Sequence, residues 1–354
     1  MSEKYTKCTK RTLKSFNESI DKAKNYGILV QNKATKRNEN IYFYNISKGG
    51  SQKLKKDAQK QHQVCLKKDY KRTTVLMSIP GAVLYTFFFT VPVCLGVYYS
   101  FTDWNSIARS NNFVGLQNYI NALTDKRFLK AFLFNFRYTI FYVIGILVLA
   151  TIIAMLLNQR VKGSTTFRAL YFLPALFSSV TVSMIFNQIF FRVIPAFGDA
   201  MGIAALHKSL LSSKDTAIFG ILFVALWGAL PMQSILILAG LQTIPHELLE
   251  AARIDGANRW KVFRYITIPH LIPTLSVVLV LAVKGGLMVF DQIKILTDGG
   301  PNNATRSLSI LIYNDAFKNN RFASAMAEAI IVGIVVAVIS YVQLQISNKK
   351  SVNA

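Results

Sequence analysis

An all-α integral membrane protein with six transmembrane helices is the fold class the sequence predicts, and three observations predict it. Hydrophobic residues fill 52% of the 354 positions and charged residues only 16%, too apolar a mixture for a water-soluble domain. The charge is unevenly placed: residues 1–73 hold 19 Lys/Arg against 6 Asp/Glu, a net of +13, and the other 281 residues carry the remaining +11 of the total +24. Beyond that basic segment lie long charge-free stretches, each about as long as the ~20 apolar residues a helix needs to cross the hydrocarbon core. A disordered chain is excluded by the hydrophobicity, and a cytosolic globular enzyme by the shortage of charge. Cys8, Cys65 and Cys94 are widely scattered, so neither a disulfide framework nor a zinc site is suggested.

Residues 1–73 are Lys- and Asn-rich without strong periodicity and read as a basic, disordered cytoplasmic extension, or as the product of a start assigned too far upstream. Four spans then contain no Lys, Arg, Asp or Glu: Thr73–Thr102, Tyr138–Gln159, Ala169–Phe191 and Thr216–Thr243. A fifth, Leu271–Ile293, is interrupted by Lys284 and Asp291, and a sixth, Phe322–Ile346, holds Glu328 near its start. Pro80, Pro92, Pro174 and Pro231 fall inside spans and predict kinks, since neighbouring helices can re-satisfy the backbone groups a proline frees. Residues 347–354 are a short tail. Six spans put both termini on one side, and with the termini cytoplasmic the internal segments hold 28 of the 41 basic residues. Most of that bias comes from residues 1–73. No signal peptide is read, because the first apolar run starts beyond residue 70.

The loop between spans four and five, residues 244–273, carries the most information. It reads as two short helices. Pro245 suits a first helical position, and Glu247 the first turn, where a carboxylate meets the positive end of the helix dipole. Ala251 and Ala252 offer small side chains to a close neighbour, and Gly256 supplies a left-handed residue to end the helix. Trp260, Phe263, Arg264 and Ile266 recur at helical spacing on a second amphipathic stretch, until Pro269 and Pro273 mark the return to the membrane. On pattern alone the loop is either an interfacial helix lying on lipid headgroups or a docking surface for another protein.

Glu250-Ala251-Ala252, then Asp255-Gly256-Ala257, then Ile266-Thr267-Ile268-Pro269 resemble the EAA loop of inner-membrane permease subunits of ABC importers. The resemblance covers residues 74–346. It includes Phe167-Arg168-Ala169-Leu170-Tyr171-Phe172-Leu173-Pro174, Leu238-Ala239-Gly240-Leu241-Gln242, Phe290-Asp291 and Leu296-Thr297-Asp298-Gly299-Gly300-Pro301, and this set is similar to the carbohydrate branch that serves maltose, raffinose and glycerol phosphate. The resemblance implies a type I ABC importer permease fold with a cytoplasmic EAA coupling helix between helices four and five. It implies a heterodimer with a second permease subunit, a cytoplasmic ATPase dimer whose clefts receive the coupling helices, and an extracytoplasmic solute-binding protein. In that scheme Glu250 contacts or orients the docking surface, Ala251 and Ala252 permit close packing, Gly256 shapes the turn, and Asp255 and Ala257 belong to the same ATPase-coupling loop. ATP and Mg are used by the partner, and this chain binds no cofactor. The sequence agrees, having no G-x-x-x-x-G-K-[ST] phosphate loop.

Charges within spans are costly and face the bundle interior or a wet cavity. Lys284 and Asp291, seven residues apart, would share a helical face with ~10 Å of rise between them. Glu328 is a further candidate partner. These three either line the translocation path, with Lys284 binding an anionic or strongly hydroxylated saccharide, or form an internal ion pair or hydrogen bond that holds spans five and six together. Lys284 lies outside the family pattern, which makes it the candidate for specificity. Gly299-Gly300-Pro301 reads as a tight turn. Aromatic residues such as Tyr85, Tyr142 and Trp227 suit sugar stacking, but equally helix packing and the membrane interface. His62, His207, His246 and His270 lack metal-ligand spacing, and no nucleophile set converges, so neither a metal site nor catalysis is expected. Nucleic acid is not an expected partner. An ion-gradient-driven secondary transporter or channel is the alternative reading, but it leaves the EAA loop without a purpose.

Overall fold

Six helices among the described residues are long and apolar enough to span a bilayer, as the charge-free stretches predict. The computed structural model describes residues 74–75, 77–105, 112–159 and 164–352, so the basic segment 1–73 lies outside the described residues. The chain divides into two units, Met1–Val93 and Cys94–Ala354, with the boundary inside the first helix, α1 (Met77–Ser100). The second unit continues with α2 (Gln117–Thr124), α3 (Lys126–Leu157), α4 (Ser164–Leu176), α5 (Ser179–Met201) and α6 (Ala217–Gln242). Then come α7 (His246–Ile254), α8 (Arg259–Val262), α9 (Ile268–Leu287), α10 (Asp291–Leu296), α11 (Leu308–Phe317) and α12 (Phe322–Val352).

The core is built where α6 and α9 both pack on α3, with α12 against α9 and α11, and α10 against α5. Ile146, Ala150 and Ala154 on α3 meet Ile221, Val224 and Ile237 on α6, and Leu271 and Val278 on α9, all effectively fully buried. The alanines let the backbones approach closely, which is how helices associate when lipid is as apolar as their side chains. Gly286 of α9 serves the same close approach: a Cβ there would lie 3.0 Å from the backbone of Thr139.

Among the described residues three π-turns widen the long helices, and each ends one residue short of a proline. Thr86–Thr90 precedes Pro92, Ile189–Val193 precedes Pro195, and Phe263–Thr267 precedes Pro269. In each, the residue just before the proline donates its N–H five residues back: Val91 to Thr86, Ile194 to Ile189 and Ile268 to Phe263. A proline has no N–H to give, and its ring crowds the carbonyl four residues back, so the preceding turn widens. Pro174, Pro231 and Pro273 instead remain inside regular helix.

The second span's helix starts ahead of Tyr138, at Lys126, and two further spans differ from the sequence reading. The third span does not run Ala169–Phe191: α4 stops at Leu176, Phe177 and Ser178 break the helix, and the spanning helix is Ser179–Met201, with Arg192 inside its π-turn. The break carries no charge, so charge-counting passes over it. The fifth span is also interrupted, because α9 ends at Leu287 and Met288–Phe290 separate it from α10. Lys284 and Asp291 therefore do not share one helical face.

Candidate coupling loop and charged residues of the spans

The loop that joins α6 to α9 is held by its own backbone. Pro245 is extended, and α7 begins at His246 rather than at the proline, with Glu247 in its first turn. Its end is a Schellman motif: Gly256 takes φ +74, its N–H donates to the Arg253 carbonyl at 3.1 Å, and the Ala257 N–H donates to Ala252 at 2.9 Å. Two residues later Asn258 starts α8, its Oδ1 accepting from the Lys261 N–H at 2.8 Å. Ile-Asp-Gly-Ala-Asn is thus a stop signal and a start signal fused into one turn. The second amphipathic stretch is not a separate helix, since α8 passes through the Phe263–Thr267 π-turn straight into α9.

Both ends of the loop are pinned. Ile244 is buried, and the Thr243 hydroxyl lies 3.1 Å from His270 Nε2, tying the end of α6 to the start of α9. Gly240 lets these helices touch, because a Cβ there would be 2.6 Å from Thr274 Oγ1 and 3.0 Å from Leu271 Cδ2. Gly240→Ala is therefore expected to cost about 1–3 kcal/mol through overpacking, read as a lower melting temperature in detergent. Thr274→Ala in the same chain should recover part of the loss. Nearby, an Arg168 guanidinium nitrogen donates to the Leu157 carbonyl at 2.6 Å and caps the end of α3.

No residue of α7 is buried. Leu249 packs toward the core, while Glu250, Ala251 and Asp255 are exposed and Ala252 and Ala257 are half-buried. Exposed apolar side chains flank them: Leu248, Ile254 at 87% exposure, Trp260 at 68% and Tyr265 at 76%. A rigid loop anchored to two core helices, with small and apolar side chains facing outward, has the form of a docking element rather than a packed one.

Lys284, Asp291 and Glu328 are not brought together. Lys284 is exposed on α9 and makes no ion pair among the described residues. Asp291 opens α10 and accepts a short hydrogen bond from the Ser179 hydroxyl at the start of α5. At the other end of this helix pair, Asn187 Nδ2 donates to the Ile295 carbonyl at 3.1 Å. Glu328 is 2% exposed, and its Oε2 has no hydrogen-bond partner among the described residues. The charges acting on it are those of Asp315, Arg127, Asp125 and Arg321, not Lys284. Arg127 of α3 reaches both oxygens of the buried Asp315 of α11, at 3.3 and 3.2 Å, and also Asp125 at 2.7 Å. Neither Arg127 nor Asp315 was singled out from the sequence, where both read as loop charges.

Asn135 was also missed. Fully buried on α3, it donates to the Leu287 carbonyl at 2.7 Å and accepts from the Leu308 N–H at 3.0 Å, joining the end of α9 to the start of α11. The Gly299-Gly300-Pro301 segment is the tight turn expected of it, with Asp298 and Gly299 at φ +47 and +86 and a hydrogen bond from the Gly300 N–H to the Thr297 carbonyl at 2.8 Å. Lys294 and Lys318 both donate to Asp298. The hydrogen bond from Lys294 holds the Asp298 carboxyl below its ordinary value. A depressed carboxyl contributes stability above its unfolded pKa and loses it only as pH falls through the folded value, so this clasp persists at neutral pH and releases in acid.

Comparison with known proteins agrees with the six-helix membrane fold. Residues 126–352 match the family described as the binding-protein-dependent transport system inner membrane component. The multiple sugar-binding transport system permease protein MsmF of Streptococcus mutans is 44% identical over 267 residues, covering 75% of this chain and 92% of that protein. AmyD of Thermoanaerobacterium thermosulfurigenes, described as a probable starch degradation products transport system permease protein, is 32% identical, covering 74% and 89%. Among solved structures, a bacterial ABC transporter that imports the acidic polysaccharide alginate matches with TM-score 0.68 at 21% identity, over 80% of this chain and 98% of that one, which is a likeness of fold. With six apolar helices and a family match over most of its length, the chain belongs to the inner-membrane components of binding-protein-dependent transport systems, as a multi-pass permease subunit of an ABC importer.

Proposed function

We propose that this permease translocates a carbohydrate, delivered by an extracytoplasmic binding protein and driven by a separate ATPase that docks on the α7–α8 loop. The observation that carries the coupling role is α7 itself: a helix with no buried residue, ended by a Gly256 Schellman turn and pinned to α6 and α9 at Thr243 and His270. Glu250, Ala251 and Ala252 form the contact surface, and Asp255, Gly256 and Ala257 set its angle. Closure of the ATPase pair moves α7, and α6 and α9 carry that motion to α3, switching two packings of the same helices. The carbohydrate reading draws support from the sugar- and starch-product-related relatives. A second permease subunit completes the channel, both termini face the cytoplasm, and ATP and Mg belong to the partner, with no cofactor on this chain. The lysine-rich segment 1–73 lies on the cytoplasmic side, where anionic headgroups attract it.

Lys284, exposed and without an ion pair among the described residues, is the path residue best placed to meet a hydroxylated or anionic solute; Asp291 and Glu328, held by Ser179 and beside the Asp315 cluster, serve packing instead. Lys284→Ala is expected to raise the half-saturating solute concentration about tenfold, the size of one lost charged hydrogen bond. Unchanged affinity and substrate range would remove Lys284 from the path. The function as a whole is tested in proteoliposomes holding the complete complex, with radiolabelled maltooligosaccharide and binding protein outside and ATP inside. Accumulation that requires ATP and the binding protein supports the importer, and accumulation driven by a proton gradient alone supports the secondary-transporter reading.

A further inference from the structure

The side of the second unit opposite the α7–α8 loop carries a cleft with cationic walls. Arg127, Lys130 and Arg137 of α3 line it from one helical face, Lys214 enters from the turn before α6, and Arg306 and Asn303 come from the turn between α10 and α11. Among the described residues no carboxylate lines it. Arg127 is neutralised by Asp125 and Asp315, but Lys130, Arg137, Lys214 and Arg306 make no ion pair among the described residues. Arg306 Nε is buried without a hydrogen-bond partner among those residues, although the same guanidinium donates to Asn303 Oδ1 at 2.5 Å. Four uncompensated cations around one concavity repel each other and focus a positive potential into it, which an anion relieves.

Depth selects the anion. From Tyr138 to Leu157, α3 is free of charge, and these twenty residues rise ~30 Å, the thickness of the hydrocarbon core. Arg137 therefore stands at the edge of the hydrocarbon, level with headgroup phosphates, and Lys130 and Arg127 stand roughly 10–15 Å further out by the same rise. Guanidinium forks match phosphate oxygens with paired hydrogen bonds, and lysines add point charges.

We propose that this cleft binds a phosphate group, supplied by an anionic lipid headgroup or by soluble phosphate. The inference needs the six-span membrane reading but not the identity of the transported solute. It is tested on the purified full-length chain in its complex, in nanodiscs of phosphatidylglycerol and phosphatidylcholine, by native mass spectrometry after mild delipidation. Wild type is expected to retain phosphatidylglycerol at least about fivefold over phosphatidylcholine, and Arg137→Gln with Arg306→Gln to abolish that preference. A parallel arm measures the melting temperature with millimolar inorganic phosphate: stabilisation of wild type but not of the variant, without lipid retention, assigns the soluble source. Lys214→Gln, an exposed change on a turn, keeps the test decisive should the double variant fail to fold; it should reduce retention or stabilisation at least about twofold, with Lys214→Arg restoring it. Equal lipid retention and equal phosphate response in wild type, Lys214→Gln and the double variant would overturn the proposal.

Discussion

Gly256→Val is expected to reduce ATP-driven uptake by about tenfold or more while leaving the amount of inserted protein close to wild type. Gly256 holds φ +74 between α7 and α8, and a Cβ there meets no atom within 4 Å, so the penalty is one of conformation and not of space. An L-residue in the left-handed region costs about 1–2 kcal/mol, and a β-branched one is a marked outlier. The chain avoids that cost by re-aiming the turn, which breaks the hydrogen bonds from Gly256 to Arg253 and from Ala257 to Ala252 and swings Glu250, Ala251 and Ala252 off the docking direction. Gly256→Asn separates conformation from side-chain identity, because asparagine tolerates the left-handed region. It should retain most of the activity. Equal impairment in both variants would mean that the glycine is needed for close contact instead of for its backbone angle.

Asn135→Leu is expected to lower the stability of the membrane bundle by about 2–4 kcal/mol. The leucine leaves the Leu287 carbonyl and the Leu308 N–H buried without their side-chain partner, at about 1–3 kcal/mol each, part of which the added apolar packing offsets. Interhelical hydrogen bonds in membranes are often worth less, because the unfolded helices find other partners in the bilayer. Here the partners are the terminal backbone groups of α9 and α11, which have no intrahelical alternative. The melting temperature in detergent should fall by roughly 5–10 °C. A melting temperature equal to wild type for Asn135→Leu would show that other groups carry the join between α9 and α11.

The spans at Tyr138–Gln159 and Thr216–Thr243 were legible because charge stops at both their ends, and α3 and α6 cover them. The third span was displaced because Phe177 and Ser178 break the helix without a charge, and because Arg192 reads as a boundary although it lies inside α5. The prolines held more than a general expectation of kinks. Each of Pro92, Pro195 and Pro269 follows a π-turn, while Pro174, Pro231 and Pro273 do not, so a proline's presence alone does not say which turn widens. In the loop, Gly256 was readable from its position after Ala252, whereas the Asn258 cap was not singled out, though an asparagine two residues after a helix-ending glycine is a start signal in its own right. The pairing of Lys284 with Asp291 failed because it assumed an unbroken helix across Met288–Phe290. Asn135 and Asp315 could not be recognised from sequence, since Asn135 joins two backbone groups distant in the chain and the charged partner of Asp315, Arg127, is equally distant.

Co-purification decides the central claim, that the α7–α8 loop is the surface through which an ATPase drives this permease. The full-length chain, co-expressed with the transport genes beside it, is purified in mild detergent as wild type and as Glu250→Lys, and the bound subunits are identified and quantified. The account predicts that an ATPase and a second permease accompany the wild type, and that Glu250→Lys loses the ATPase about tenfold while keeping the second permease. An ATPase bound equally to both forms, or a stable homomer that carries none, would contradict it.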